Sequence, residues 1–267
     1  MKHFVEDQAK LLPSSIKDLQ ATRHIHIPVG PFLALGLLQV PLCMAYNLVM
    51  AITTDFEATT YTSCNVFNFI PSTSAAAKSQ HIIWALACWL EFPFLIASAW
   101  LQFRFIRRNL PKPVRSFGCL VAIFLVINSL SLLLWGTFAQ VDGDSLLHIA
   151  NALSVFMSGA IYMAGSFVCA KYYMHDKNRQ LHEELSFRLK SGLVFTYYVS
   201  VVITWFFYFV HHEFCLPLES ATAYSIFGLG EFISCECFCI YLCLAYFDFY
   251  HVYICYDQRL GFFLSEI

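Results

Sequence analysis

The sequence predicts an all-α protein, a polytopic membrane helical bundle of about six transmembrane helices with both termini cytosolic, and three observations predict it. First, 58% of the residues are hydrophobic and only 13% charged, against roughly 45–50% and 25% in a soluble domain. Second, apolar runs of spanning length recur through the 267 residues with short polar connections between them, which leaves no stretch for a separate soluble catalytic domain. Third, the positive residues are one-sided. With the N-terminus in the cytosol, fifteen of the 16 Lys and Arg residues fall on that side and only Lys78 on the other. A net charge of −2 and scattered basic residues exclude nucleic acid as a partner, so any chemistry belongs to the bundle and its loops.

Taken in order, residues 1–28 form a polar segment with Lys2, Lys10, Lys17 and Arg23. It lacks the apolar core and small-residue cleavage site of a signal peptide, so it is expected to be retained and cytosolic. The bundle occupies 29–248, with spans near 29–53, 81–103, 116–136, 148–170, 191–210 and 223–247. Glu91 and Pro93 lie inside the second span, and Arg104, Arg107, Arg108, Lys112 and Arg115, with Pro111 and Pro113, make a basic connection to the third. Asp142 and Asp144 mark an acidic loop, and residues 171–190 form a polar connection readable as a short helix on the membrane surface. The fifth span ends in His211, His212 and Glu213, and the sixth contains Glu231 and Glu236. Residues 249–267 are a short aromatic cytosolic tail. No internal repeat, heptad array or low-complexity tract interrupts this order.

Topology sorts the 11 cysteines. Cys43, Cys88, Cys119, Cys169, Cys235, Cys237, Cys239 and Cys243 fall inside spans and Cys255 in the cytosol, which leaves Cys64 and Cys215 in an oxidising compartment. A disulfide between them is the natural expectation, against two free thiols. Cys235, Cys239 and Cys243 share a helical face, at about 100° per residue, but Cys237 points elsewhere and no His completes a tetrahedral set. Close helix packing by small side chains is the favoured reading, and no metal or cofactor is expected.

Intramembrane acids are costly, roughly 2.5–3.5 kcal/mol each near the bilayer centre. Glu91 and Glu231 both sit roughly 12–15 Å inside their spans at about 1.5 Å per residue, so equal depth permits a shared polar pocket. Protonated acids each paired with a backbone carbonyl or a hydroxyl are the alternative. Glu236 is about 140° round the helix from Glu231 and faces another direction. Four histidines, His81, His148, His211 and His212, sit where spans meet the non-cytosolic surface. They are candidates for acid–base chemistry or for hydrogen bonds to lipid headgroups. No serine-hydrolase triad, zinc-protease helix or phosphate-binding glycine loop is present.

The first non-cytosolic loop carries Cys64, Asn68, Pro71, Ser72, Ser74 and Ala75. Tyr208, Phe209, His211, Cys215, Tyr224, Ile226, Phe227, Glu231 and Asp248 follow at matching spacing, with Asn128 and Asn151 as milder matches. In these residues the chain resembles the post-GPI attachment to proteins factor 2 family of the FRAG/DRAM/SFK membrane-protein group, from the first span to Asp248. It departs from the pattern beside Pro93, where Leu90, Glu91 and Phe94 replace a His and an Arg, and at Leu242, which replaces a His.

The resemblance implies a part in remodelling glycosylphosphatidylinositol anchors, reacylating the lyso-anchor so that anchored proteins stay on the surface. It implies residence in the Golgi membrane, with the endoplasmic reticulum as alternative, and membrane lipids and GPI-anchored proteins as partners. Under an acyltransferase mechanism, His211 is the expected base and Glu231 its orienter or a proton acceptor. Asn68, Ser72, Ser74, Glu91, His81 and His148 are the expected substrate-binding residues, and Cys64 and Cys215 the disulfide. The alternative is a non-enzymatic scaffold or sensor that binds lipid or a partner through its basic cytosolic loops. A proton-coupled transporter fits less well, because paired broken helices are not legible in the spans.

Overall fold

The computed structural model describes residues 23–62, 64–138, 146–174, 181–215, 217–257 and 261–266. Lys2, Lys10, Lys17, Asp142 and Asp144 lie outside the described residues. Among the described residues, six helical segments are long and apolar enough to cross a membrane: Val29–Thr53, His81–Asn109, Lys112–Thr137, Leu146–Tyr173, Leu181–Phe214 and Ala221–Asp248. The fold is therefore an all-α polytopic bundle, and the protein a multi-pass membrane protein.

The first span is two helices, α1 (Val29–Leu37) and α2 (Gln39–Thr53), which meet at Leu38. The cause is local. Pro41 has no N–H to donate, and the Val40 N–H turns out of the ladder to the Glu91 carboxylate, which accepts it at 2.7 Å. The Gly36 carbonyl, which Val40 would otherwise meet, accepts the Gln39 amide at 3.1 Å. Glu91 is 1% exposed, so this buried acid is the acceptor that the broken ladder lacks. At Gly36 the ring of Phe94 lies where a Cβ would stand, 2.1 Å from Cδ1, which lets α1 cross closely over the following long helix.

That helix, α5 (His81–Asn109), follows two short ones, α3 (Phe56–Thr60) and α4 (Thr73–Ser79). Arg104, Arg107 and Arg108 lie within α5, and Lys112 and Arg115 in the first turn of α6 (Lys112–Thr137). The expected basic connection is thus only Leu110 and Pro111, because charged residues at a membrane surface continue a helix without cost to its backbone bonds. Likewise Leu181–Lys190 is not a separate surface helix. It runs straight into the fifth span as α8 (Leu181–Phe214), after α7 (Leu146–Met174).

Helices pair through small residues and hydroxyls, as expected where lipid gives apolar contact no advantage. Between α6 and α7, Asn128 donates to the Val155 carbonyl at 2.7 Å and Ser131 meets Ser154 at 2.7 Å. Between α8 and α9 (Pro217–Cys243), Ser200 meets Ser234 at 2.7 Å. Cys235, Cys237 and Cys239 are buried in the apolar core with Phe238 and Tyr241. Only 17% of the apolar window of α8 is buried, which puts that helix on the outside of the bundle.

The sequence predicts no strand, yet three are present among the described residues. β1 (Arg23–Pro28) pairs antiparallel with β2 (Val252–Asp257), which follows the one-turn α10 (Ala245–Asp248), and β2 with β3 (Gly261–Glu266). The aromatic tail is thus a hairpin whose inner strand receives the segment that precedes the first span, and both flanks of the bundle meet at one end.

Candidate functional site

At the other end, residues 61, 62 and 64–72 belong to a loop fixed from within and from outside. Thr62 donates its N–H to the Val66 carbonyl and Asn65 its N–H to Thr62, both at 3.0 Å. Asn65 takes φ 58, a left-handed turn position that asparagine tolerates. Asn68, fully buried, donates its side-chain amide to the Ile70 carbonyl at 2.8 Å. The Cys64–Cys215 disulfide, with Cα atoms 5.3 Å apart, ties this loop to the end of α8 across a separation of 151 residues. The eight cysteines placed in spans, and Cys255, are free thiols.

Three contacts dock the loop on α9. Phe69 donates its N–H to the Ser225 hydroxyl at 2.7 Å. Gly228 passes under Pro71, where an added Cβ would lie 2.5 Å from the Pro71 carbonyl oxygen. Glu231 accepts both the Thr73 N–H, at 2.9 Å, and the Thr73 hydroxyl, at 3.1 Å, on one oxygen. Ser72 caps the same α4 terminus by accepting from the Ala75 N–H at 3.2 Å. One helix start therefore receives a hydroxyl from its own chain and a carboxylate from α9, which together satisfy N–H groups left open there.

Beneath the loop lies a cavity of about 370 Å³, at the lower end of the roughly 300–1,000 Å³ range of small-molecule sites. Tyr61, Thr62, Ser72 and Ser74 roof it; His148, Ile149, Ala152, Leu153 and Phe156 line it from α7. From α8 come Val201, Thr204, Trp205, Tyr208 and His212, and from α9 Tyr224, Phe227 and Glu231. His148 and His212 stand near the disulfide, Thr204 and Glu231 lie deeper, and Phe156, Val201 and Leu153 are apolar and line α7 and α8 away from the disulfide.

Of the residues singled out in the sequence, Ser72, Ser74, His148 and Glu231 come together here. His211 is fully buried and does not line the cavity; its Nε2 lies 3.6 Å from the Cys64 sulfur. Its ring packs on Tyr224 at 4.6 Å and on His212 at 5.4 Å. His212, one residue on, reaches the cavity, with its ring 4.3 Å from that of Tyr208. Asn68 holds the loop, His81 is half-buried at the start of α5, and Glu91 is at the α1–α2 junction, so the two acids do not share this cavity.

Sequence reading passed over Thr204 and Trp205, although a signal was present. Val201, Thr204, Trp205, Tyr208 and His212 recur at helical spacing, so they mark one face of α8.

This arrangement can hold an amphiphile, with its polar end under the disulfide-held loop and its chain along α7 and α8. Two imidazoles, His148 and His212, offer proton acceptance and donation at the polar end, and the Glu231 carboxyl lies deeper in the cavity.

The chain is 27% identical over 248 residues, 88% of its length and 92% of the relative's, to a Drosophila melanogaster protein named "Post-GPI attachment to proteins factor 2". A protein of the same name from Drosophila pseudoobscura pseudoobscura is 27% identical over 246 residues, 88% of this chain and 91% of its own. "Acyltransferase PGAP2" of Xenopus tropicalis is 25% identical over 228 residues, 78% of this chain and 87% of its own. No solved structure matches the chain. The model of one family, described as the Frag1/DRAM/Sfk1/Cwh43P N-terminal domain, covers residues 29–252, from the first span to the start of β2, and the chain belongs to that family.

Proposed function

We propose that this protein remodels the lipid part of glycosylphosphatidylinositol anchors by reacylating a lysolipid in the cavity beneath the loop. The observation that carries this reading is the cavity's division. His148 and His212 stand at the end held by the disulfide, Glu231 lies deeper, beside Thr73 and on the level of Thr204, and apolar Phe156, Val201 and Leu153 line the cavity along α7 and α8. The names of its relatives, a post-GPI attachment factor and an acyltransferase, support it over most of the chain's length.

In the proposed reaction a lysolipid hydroxyl attacks the carbonyl carbon of an acyl ester or thioester. An imidazole takes the hydroxyl proton and returns it to the departing alcohol or thiol. His212 and His148 are the groups within reach of a ligand. His211, behind them and against the disulfide, is a positioning residue that holds His212 and Tyr224. Glu231 holds the roof helix α4 and presents its carboxyl to the cavity.

The cavity faces the lumen in this reading, because the Lys and Arg distribution places the opposite end of the bundle in the cytosol, and a disulfide persists in an oxidising compartment. A Golgi membrane residence and GPI-anchored proteins as beneficiaries go with it. The test is to delete the gene and analyse anchor lipids: lyso-anchors or unsaturated chains should accumulate and be corrected by the wild-type chain. Unchanged anchors would end this reading.

A further inference from the structure

A smaller chamber of about 30 Å³ lies inside the bundle, next to the cavity beneath the loop and independent of the proposed acyl transfer. Phe156 lines both spaces, and on α9 the chamber wall starts at Cys235, one turn beyond the Glu231 that lines the cavity. Val40 and Met44 from α2, Leu132 from α6 and Phe238 from α9 give it apolar sides. Trp84 from α5, and Asn128 and Trp135 from α6, give it polar ones.

These three side chains are buried, none more than 3% exposed. Each nevertheless has a polar atom with no hydrogen-bond partner among the described residues: Nε1 of Trp84, Nε1 of Trp135 and Oδ1 of Asn128. An indole N–H can only donate and a carboxamide oxygen can only accept. Which Asn128 atom is the orphan follows from its other bonds. Its amide nitrogen donates to the Val155 carbonyl at 2.7 Å and to the Ser158 hydroxyl at 3.2 Å, and a flipped amide would set oxygen against that carbonyl. Tyr197, also on the wall, donates its hydroxyl to the Phe156 carbonyl at 2.8 Å, so its proton is already used.

The two indoles meet edge to face, with ring centroids 5.6 Å apart and planes at 77°. In such a pair one edge meets one face, so at most one of the two N–H groups is directed at its neighbour's ring. At least one donor and the Asn128 acceptor are then left over around one enclosed space. Buried groups in that state are costly, and an apolar occupant would leave them so. Water both accepts and donates, and a space of about 30 Å³ has room for about one or two molecules of it.

We propose that this chamber is a hydration site, where about one or two long-lived waters, held between the indoles and Asn128, join α5 to α6. Through the Asn128–Val155 bond the link extends to α7. The waters also brace the wall behind the reaction cavity, because the Trp135 ring packs against that of His148, with centroids 6.4 Å apart.

The test uses the full chain, isotope-labelled at its tryptophan side chains, in deuterated phosphatidylcholine nanodiscs. Trp89→Phe, Trp100→Phe and Trp205→Phe, all at exposed rings, assign three indole signals by their loss and leave those of Trp84 and Trp135 by elimination, with both residues untouched. At least one of these two should show NOE and ROE cross-peaks at the water frequency with opposite signs, the mark of a bound water. Asn128→Leu, which removes the acceptor, should at least halve their intensity. Should Asn128→Leu fail to give monodisperse protein, the wild-type spectrum decides alone. Indole protons of Trp84 and Trp135 that both meet only ring and methyl protons would overturn the proposal. So would water cross-peaks that Asn128→Leu leaves unchanged, because the water would then be held elsewhere.

Discussion

One oxygen of the Glu231 carboxylate accepts two hydrogen bonds from Thr73, at 2.9 Å from its N–H and 3.1 Å from its hydroxyl. The two residues are 158 positions apart, and the bonds fix the roof of the cavity to its floor. Replacing Glu231 by Ala strands a buried N–H and should lower stability by about 1–3 kcal/mol, whereas Gln retains an acceptor and should cost less. Thermal melting of the purified variants measures this, and a double-mutant cycle with Thr73→Val isolates the coupling. Additive losses would show that the pair is not coupled.

Adjacent histidines should separate in effect. His212 lines the cavity, and His212→Ala should reduce anchor reacylation about 100-fold or more with little change in melting, if its imidazole moves the proton. His211 is fully buried, so His211→Ala should instead leave a hole that destabilises by about 3 kcal/mol. Anchor-lipid analysis beside melting curves distinguishes the two. The reverse pattern would return the proton-transfer role to His211.

The Cys64–Cys215 bond closes a chain of 151 residues, which in a free coil corresponds to on the order of 5 kcal/mol. Spanning helices already restrict that chain, so the measured loss on Cys64→Ser should be smaller. The loop residues Tyr61, Thr62, Ser72 and Ser74 should become accessible to protease, and the double variant with Cys215→Ser should match the single. A mobility shift on non-reducing gels that survives either substitution would contradict the pairing.

Glu91 should matter for architecture alone. Glu91→Leu removes the acceptor of the Val40 N–H and should cost about 1–3 kcal/mol. Adding Pro41→Ala, which gives residue 41 its backbone donor and relaxes the break, should recover part of it. Melting in detergent reads both. A Glu91→Gln variant with lost activity and wild-type stability would assign this acid a direct chemical role.

The six spans were legible because each carries an apolar run of spanning length, and the disulfide because charge asymmetry left two cysteines outside both the spans and the cytosol. The break at Leu38 was not read, although Gly36 and Pro41 signal it, because the run of hydropathy continues across both helices. Extension of α8 back to Leu181 was hidden for the opposite reason: polar residues interrupt hydropathy without interrupting helix. The sheet was invisible because its partners are short segments at distant positions, and nothing local specifies who pairs with whom. Within the site, equal depth brought Glu91 and Glu231 together on paper, but depth says nothing about azimuth, and the helices turn the two acids into separate neighbourhoods.

The pairing of Arg23–Pro28 with Val252–Asp257 also orders assembly in time. The earlier strand emerges from the ribosome first and must wait, unmatched, while every helix between is threaded into the bilayer. Its hydrogen bonds can form only once the closing hairpin has been synthesised on the same face of the membrane. A chain that inserts one helix too few presents its two strands to opposite compartments, and the clasp stays open.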